Sequence, residues 1–392
     1  MIAQRLHAAA VSLLHAERRI DPFIRPALDS LFRPWLAALT QSLINRTRMP
    51  EPDEPARETP LPDEAAIAAS IIATMAAYMR SMYAPGGFQR AGNTKTHAVL
   101  RGRFIVSPDL PPALRHGLFA EPGDYPAWIR FAGPGPDSPP DIEDIGVLSF
   151  GIKVMGVPGE KLLADERFTQ DFTGISAPTF TTPNVRENAK LQRAIARRLP
   201  LFYFLDPRDP HLFDAIMQGL WARTQTSPLE TPYWSCVPYL LGEGQAMRYS
   251  LVPVNAPHSK VPRLPLRPPD NYLREAMAAT LADRDATFDF CIQRQTVPSR
   301  MPIECASVIW PERLSPSIPV ARLILPRQIF DSAAQLAFAS NLSFNPWHAV
   351  PAHRPLGNQN RARLVIYEEL SRLRQEMNAT PHVEPTGDEV FG

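Results

Sequence analysis

Three cysteines in 392 residues, Cys236, Cys291 and Cys305, are scattered and odd in number, so they make no disulfide framework. No Cys-x-x-Cys spacing offers a metal clasp either. Their rarity fits a reducing compartment, and the expected location is the cytoplasm. Net charge is equally sparse: 41 Lys and Arg against 40 Asp and Glu leave +1, which gives no reason to expect a nucleic-acid partner. No uncharged apolar run reaches the ~18–20 residues that a bilayer span needs. The Ala-rich stretch AAIAASIIATMAAYM before Arg80 comes nearest and reads as a buried helix. The start of the chain lacks a basic region, apolar run and Ala-x-Ala site, so a secretory leader is not expected. Glycine-rich phosphate loops, nucleotide fingerprints, Gly-x-Ser-x-Gly elbows and His-Glu-x-x-His zinc helices are also missing.

Proline is what the chain has in excess: 44 residues with no repeat period, which forces much of it into loops and extended segments. The length allows two domains or one large one. Residues 1–48 carry apolar side chains at three- and four-residue steps (Leu6, Leu13, Phe23, Leu28, Leu31, Trp35) with arginines between them, the pattern of amphipathic helices. Such basic helices either lie on an anionic membrane or, more commonly, pack on their own chain or a partner subunit. Peripheral membrane contact and a homo-oligomer therefore both stay open. Residues 49–64 form a Pro- and acid-rich linker, 65–377 the main domain and 378–392 a tail expected to be mobile. Within the main domain, THAVLRGRFIV, AWIRFAG, IGVLSFGIKVMGV, YWSCVPYLL, AMRYSLVPV, ATFDFCIQRQT and IPVARLIL read as strands. Helices are expected near 185–198, 209–224 and 361–377. Strands between turns, with helices mostly at the ends, imply an α+β fold: an antiparallel β-barrel with packed helices.

Two stretches point to chemistry. In RARLVIYEELSRLR, Arg363, Tyr367 and Arg374 share one helix face. A phenol between two guanidiniums suits a phenolate, because a free Tyr titrates near about 10 and cations favour its charged form. Tyrosinate is a known axial ligand of haem iron. The other stretch is NTKTHAVLRGRF, with His97 at the mouth of a strand, a position that by itself is more often structural.

These segments, in this order, resemble the haem-containing catalase family over roughly residues 94–374. RLVIY matches that family's Arg and proximal Tyr, and VIWPERLSPSIPVARLIL and QLAF match segments before its proximal helix. THAVLRGRF resembles the strand of its distal histidine; WIRFAG, IGVLSFGIKV and DFTGISAPTF follow as expected. The resemblance implies a catalase-like barrel enclosing haem b, preceded by the N-terminal helices. Tyr367 would be the iron ligand, Arg363 would hold it as phenolate, and Arg130 and Arg374 would bind the haem propionates. His97 would be the distal acid–base group, with Thr96 beside it.

The sequence also departs from that pattern. Ile175 stands where the family carries a distal Asn, Ala132 where it carries a Ser supporting the histidine, and Thr94 where it carries an Arg. Thr96, usually Val, resembles the allene oxide synthase branch, whose substrates are fatty-acid hydroperoxides. The less polar distal side implies a peroxidase or rearranging enzyme acting on organic hydroperoxides. A catalase active on hydrogen peroxide and a non-catalytic haem-binding protein are the alternatives. His348 and His353 read as structural loop residues shaping an entrance rather than as metal ligands. His116, His211, His258 and His382 read as surface residues, and Asp141, Glu143 and Asp144 as a solvated acidic turn.

Overall fold

The computed structural model describes residues 2–391. Helices α1 (Ile2–Leu31), α2 (Arg33–Thr47) and α3 (Glu64–Met82) come first, followed by strands β1 (Thr96–Val106), β2 (Gly123–Ala132), β3 (Ser149–Val154) and β4 (Gln170–Ile175). Next come α4 (Val185–Ala196), α5 (Leu201–Leu205), α6 (Leu212–Trp221), β5 (Tyr233–Trp234), β6 (Tyr239–Leu240) and β7 (Ala246–Val254). The chain continues through α7 (Tyr272–Asp283), β8 (Ala286–Arg294), β9 (Ile318–Leu325), α8 (Ala333–Asn341) and α9 (Asn358–Met377).

Strand alternation builds the barrel. On β1, Ala98, Leu100, Phe104 and Val106 point into one apolar core, while Arg101 and Arg103 stay exposed on the opposite side. The antiparallel ladder runs β5-β4-β3-β2-β1-β9-β8-β7-β6 and closes through pairing of β5 with β7. The result is an eight-stranded barrel with β6 appended to β7. Gly174 sits at the closing seam, where a Cβ would run into the Trp234 carbonyl. Aromatic rings fill the interior: Phe172 lies 4.8 Å from Phe290 and 5.2 Å from Tyr249 between centroids. The strands expected from the sequence are present, with YWSCVPYLL split into β5 and β6. Strand β4 and helices α7 and α8 are additional.

A second core lies outside the barrel. Ala68, Ile71, Ala76 and Met79 of α3 pack against Ala362, Ile366, Leu370 and Leu373 of α9. Each fully buried Leu or Ile contributes about 1.5–3 kcal/mol, so this contact fixes the rotation of α9 about its axis. The acid-rich segment 49–64 then fastens the first turn of α9. Glu58 accepts from the Gly357 N–H at 2.9 Å and pairs with Arg361, which also meets Glu64 and Glu304. Carboxylates at a helix N-terminus are favoured by its dipole. The tail is docked as well: Glu384 accepts from the backbone N–H of Arg167 and Phe168, Glu389 accepts from Trp128 Nε1, and Phe391 packs on Trp128. The expectation of a mobile tail overlooked these two carboxylates and the ring.

Several histidines differ from their expected settings. Of the four read as surface residues, only His258 is exposed; His116, His211 and His382 are half-buried. His353 is buried, its Nε2 accepting from the Leu118 N–H at 3.1 Å. His348 is buried among carboxylates, with Nδ1 2.9 Å from Asp171 and Nε2 3.1 Å from Asp165. Glu166, Asp171 and His348 are close enough to hold a metal ion. However, Lys153 Nζ already lies among them, 2.8 Å from Asp171 and in contact with Glu166. The ammonium takes the place that a metal ion would occupy.

Burial and Lys153 push the His348 pKa down, but hydrogen bonds to Asp165 and Asp171 outweigh them and raise it from 6.5 to about 9. A pKa raised by folding stabilises fully below the unfolded value and loses that contribution as pH rises through the folded value. Chemical denaturation followed from pH 6 to pH 10 should therefore show a loss on the order of 2–3 kcal/mol centred between those values. His348→Gln should flatten the profile. An unchanged slope in that variant would assign the loss to other groups.

Candidate active site

The rotation of α9 turns Arg363, Tyr367 and Arg374 toward the barrel, on the stripe beside its apolar one. Arg363 Nη2 donates to Tyr367 Oη at 2.9 Å and to Thr173 Oγ1 of β4 at 3.1 Å, while Nη1 donates to Asn360 Oδ1 at 3.1 Å. Its guanidinium also lies 5.1 Å from the Tyr367 ring. Burial alone would lower the Arg363 pKa; the phenol oxygens of Tyr367 and Tyr239 more than offset it, and the group is held firmly cationic. The expected Arg–Tyr pairing is thus present, with a strand of the barrel bracing it.

His97 sits at a bulge. The β1–β2 register passes from Thr96 opposite Ala132 to Ala98 opposite Phe131, which leaves His97 as the extra residue. Its side chain is buried, and its Nε2 has no hydrogen-bond partner. That nitrogen is free to meet a ligand. Burial lowers the His97 pKa to about 3, helped by the positive charges of Lys95, Arg130 and Arg274. The imidazole is neutral. Arg274 holds the backbone on either side, donating to the carbonyls of Thr96 at 2.7 Å and His97 at 3.0 Å.

Asp141 corrects the reading of a solvated acidic turn. It is buried, pairs with Lys95 at 2.6 Å and accepts from the Leu273 N–H at 2.8 Å. One of its oxygens is 3.7 Å from His97 Nδ1, too far for a hydrogen bond but close enough for charge. Ala132, in place of a supporting serine, has no such group to offer. Ser176 is tied to the neighbouring strand, its hydroxyl accepting from the Leu148 N–H at 2.8 Å. Thr96 is turned to Arg130, its Oγ1 accepting from Nε at 3.0 Å and from Nη2 at 2.7 Å.

Arg130 belongs to a larger group. Its Nη2 also donates to the Asn93 carbonyl at 2.7 Å. Arg374 donates to the Asn341 carbonyl at 3.2 Å and to Ser343 Oγ at 3.1 Å. Arg90, which the sequence reading passed over, donates to the carbonyls of Ala339, at 2.9 Å, and Leu342. Among the described residues none of the three meets a carboxylate. Burial lowers all three pKa values, Arg130 to about 9 and Arg374 to about 10, and mutual repulsion adds to the effect at Arg130 and Arg90. Arg90 arrives there because its turn is clasped to the end of α9. Asn378 bonds both the N–H and the carbonyl of Phe88 at 2.8 Å, and Gly86 N–H donates to the Met377 carbonyl at 2.9 Å. The position three residues before the histidine is Thr94, and Arg90 supplies a guanidinium from four residues further back.

Two buried guanidiniums, Arg130 and Arg374, and the half-buried Arg90, served only by neutral acceptors, suit an anion with several carboxylate oxygens. Together with a phenol held by Arg363 and an orphaned imidazole nitrogen, this donor set fits a haem: propionates at the arginines, iron at Tyr367. A cleft lined by Arg18, Asp141, Asp144 and Arg223 opens elsewhere and includes none of these donors.

No protein-family model and no curated protein matches the chain. Solved structures do. A fungal catalase superposes with a TM-score of 0.56 at 15% identity, over 88% of this chain and 70% of that one. A bacterial catalase gives 0.54 at 14% identity, over 90% and 74%. The fold is therefore catalase-like α+β, as the sequence implied.

If Arg90 completes the anion site, Arg90→Gln should weaken haem binding to the ligand-free chain by about 10–100-fold, the worth of one charge-assisted hydrogen bond. The melting temperature of the ligand-free chain should not fall, because the change relieves repulsion. Titration with hemin followed in the Soret band, beside a thermal melt, measures both.

Proposed function

We propose that this chain is a haem-dependent oxidoreductase that acts on hydroperoxides, preferentially organic or fatty-acid hydroperoxides, as a peroxidase or a rearranging enzyme. The observation that carries the reading is the pairing of a buried, neutral His97 whose Nε2 is unpartnered with an Arg363–Tyr367 pair and three arginines lacking a counter-anion. The catalase-like fold supports it. When bound, haem would supply the iron that activates the O–O bond. Tyr367, whose phenol oxygen accepts from the Arg363 guanidinium, would be its protein ligand. Arg90, Arg130 and Arg374 would neutralise its carboxylates.

The acid–base work falls to His97. Its free nitrogen is suited to take the hydroperoxide O–H proton and return it to the departing oxygen, so that water or an alcohol leaves rather than an anion. Arg274 holds the backbone at the bulge, and the Asp141–Lys95 pair fixes the charge behind the ring. Preference for an organic substrate rests on Ile175 and Ala132, which leave the distal side without the polar groups that would orient a small peroxide, while an alkyl chain gains from apolar contact.

Absorption spectra of the ferric protein titrated with hydrogen peroxide and then with a fatty-acid hydroperoxide test the reading. Consumption of the organic hydroperoxide alone supports it. Rapid oxygen release from hydrogen peroxide would instead mark a catalase, and a spectrum unmoved by either would mark a binding protein. His97→Ala should abolish turnover with haem retained, whereas Tyr367→Phe should lose or misligate the haem. Because burial keeps His97 neutral far below its ordinary pKa, the rate should show no acid limb between about pH 7.5 and about pH 5. A limb near 6.5 would show instead that burial and the positive field do not hold His97 neutral in the working protein.

A further inference from the structure

Helix α1 is amphipathic but mounted with its polar side inward, whereas α2 seats Ile44 in an apolar cluster with Met217 and Val308 and leaves Trp35 and Leu39 outside. Arg18 donates to the Ile145 carbonyl at 2.6 Å, Asp21 accepts from the Thr224 N–H at 2.7 Å, and Arg25 donates to the carbonyls of Gly219 at 2.6 Å and Ala222 at 2.9 Å. On α2, Gln41 accepts from the Ile309 N–H at 2.8 Å. The apolar side faces out: Leu13 is 73% exposed, Leu31 70%, Phe23 65% and Trp35 63%. Contiguous apolar surface of this kind marks an interaction site.

We propose that this outward face binds the surface of a lipid bilayer containing anionic lipid. Three observations select a bilayer over another protein helix. First, residues adjacent in sequence are exposed together, Leu13 with Leu14, Phe23 with Ile24 and Leu31 with Phe32. The apolar arc is therefore wider than the two-position seam of a helix-to-helix contact. Second, among residues 3–47 Asp21 is buried, Asp29 is half-buried, and Glu17, whose side chain is 38% exposed, lies beside Arg18, while Arg5 and Arg46 are exposed cations. A face with one partly exposed carboxylate and a cationic residue toward each end complements a negative headgroup layer. Third, Trp35 and Phe32 stand where the two helices meet, and aromatic rings, Trp above all, favour the headgroup boundary. Helix α3, apolar enough by composition to cross a membrane, is instead packed against α9 in the second core. The contact is accordingly peripheral, lying along α1 and α2.

The test is co-sedimentation of the full chain with phosphatidylcholine vesicles, with and without phosphatidylglycerol, beside analytical ultracentrifugation without lipid. The wild type should sediment with the mixed vesicles and much less with phosphatidylcholine alone. The triple variant Leu13→Ser/Phe23→Ser/Trp35→Ser should lose about tenfold or more of that partition with an unchanged melting temperature, since all three side chains already face solvent. Arg5→Glu/Arg46→Glu, which leaves the apolar face intact, should lose the preference for anionic vesicles. A wild type that stays in the supernatant with both vesicle types overturns the proposal. So does a lipid-free dimer that the triple variant converts to monomer, because the face then belongs to a second copy of the chain. Neither outcome depends on bound haem, so the hydroperoxide reading stands or falls separately.

Discussion

A cluster of three guanidiniums without a counter-anion is the constraint on which the rest of this structure depends. Like charges gathered out of water repel strongly, and the carbonyl and hydroxyl acceptors around Arg90, Arg130 and Arg374 solvate them without neutralising them. Such an arrangement is costly for the chain alone and persists because three independent pieces of backbone are tied together around it: the turn before β1, strand β2, and α9 with the loop after α8. A ligand carrying carboxylates removes the cost. The arginine cluster is thus assembled by the chain itself, and it carries an unmet electrostatic demand.

The same logic separates the two ends of the site. At the arginine end positive charge is concentrated; at the Tyr367 end a single guanidinium faces a single phenol oxygen. His97 sits beside Lys95, Arg130 and Arg274, and both burial and this positive field keep its imidazole unprotonated. Asp141 offsets the field only partly, because its charge is already engaged by Lys95. The histidine is therefore held neutral by its environment, and it sits at a bulge that exempts it from the side-to-side alternation of β1.

Much of this was legible beforehand. The alternating strands β1, β7 and β9 and the three-and-four spacing of α9 were readable as local patterns, and the spacing of Arg363, Tyr367 and Arg374 placed them on one face. Arg130 and His97 were recoverable from motif order. Arg90 and Asp141 were not. Arg90 lies in an irregular turn whose course is set by Asn378, nearly the whole chain away. Asp141 sits in a run of acidic residues that looks solvated until Lys95 and the Leu273 N–H close over it.

The N-terminal helices mark the boundary between the two kinds of information. Their amphipathic pattern follows from the sequence by itself, as do the barrel's strands and the arginine–tyrosine helix face, because each depends only on the period of the local backbone. Which side of α1 faces the protein was decided by tertiary structure. Asp21, Arg18 and Arg25 found backbone partners at 145 and 219–224, and those long-range hydrogen bonds outweighed burial of the apolar stripe. Periodicity tells that a helix has two faces. Only the groups waiting on the neighbouring element determine which of them is buried.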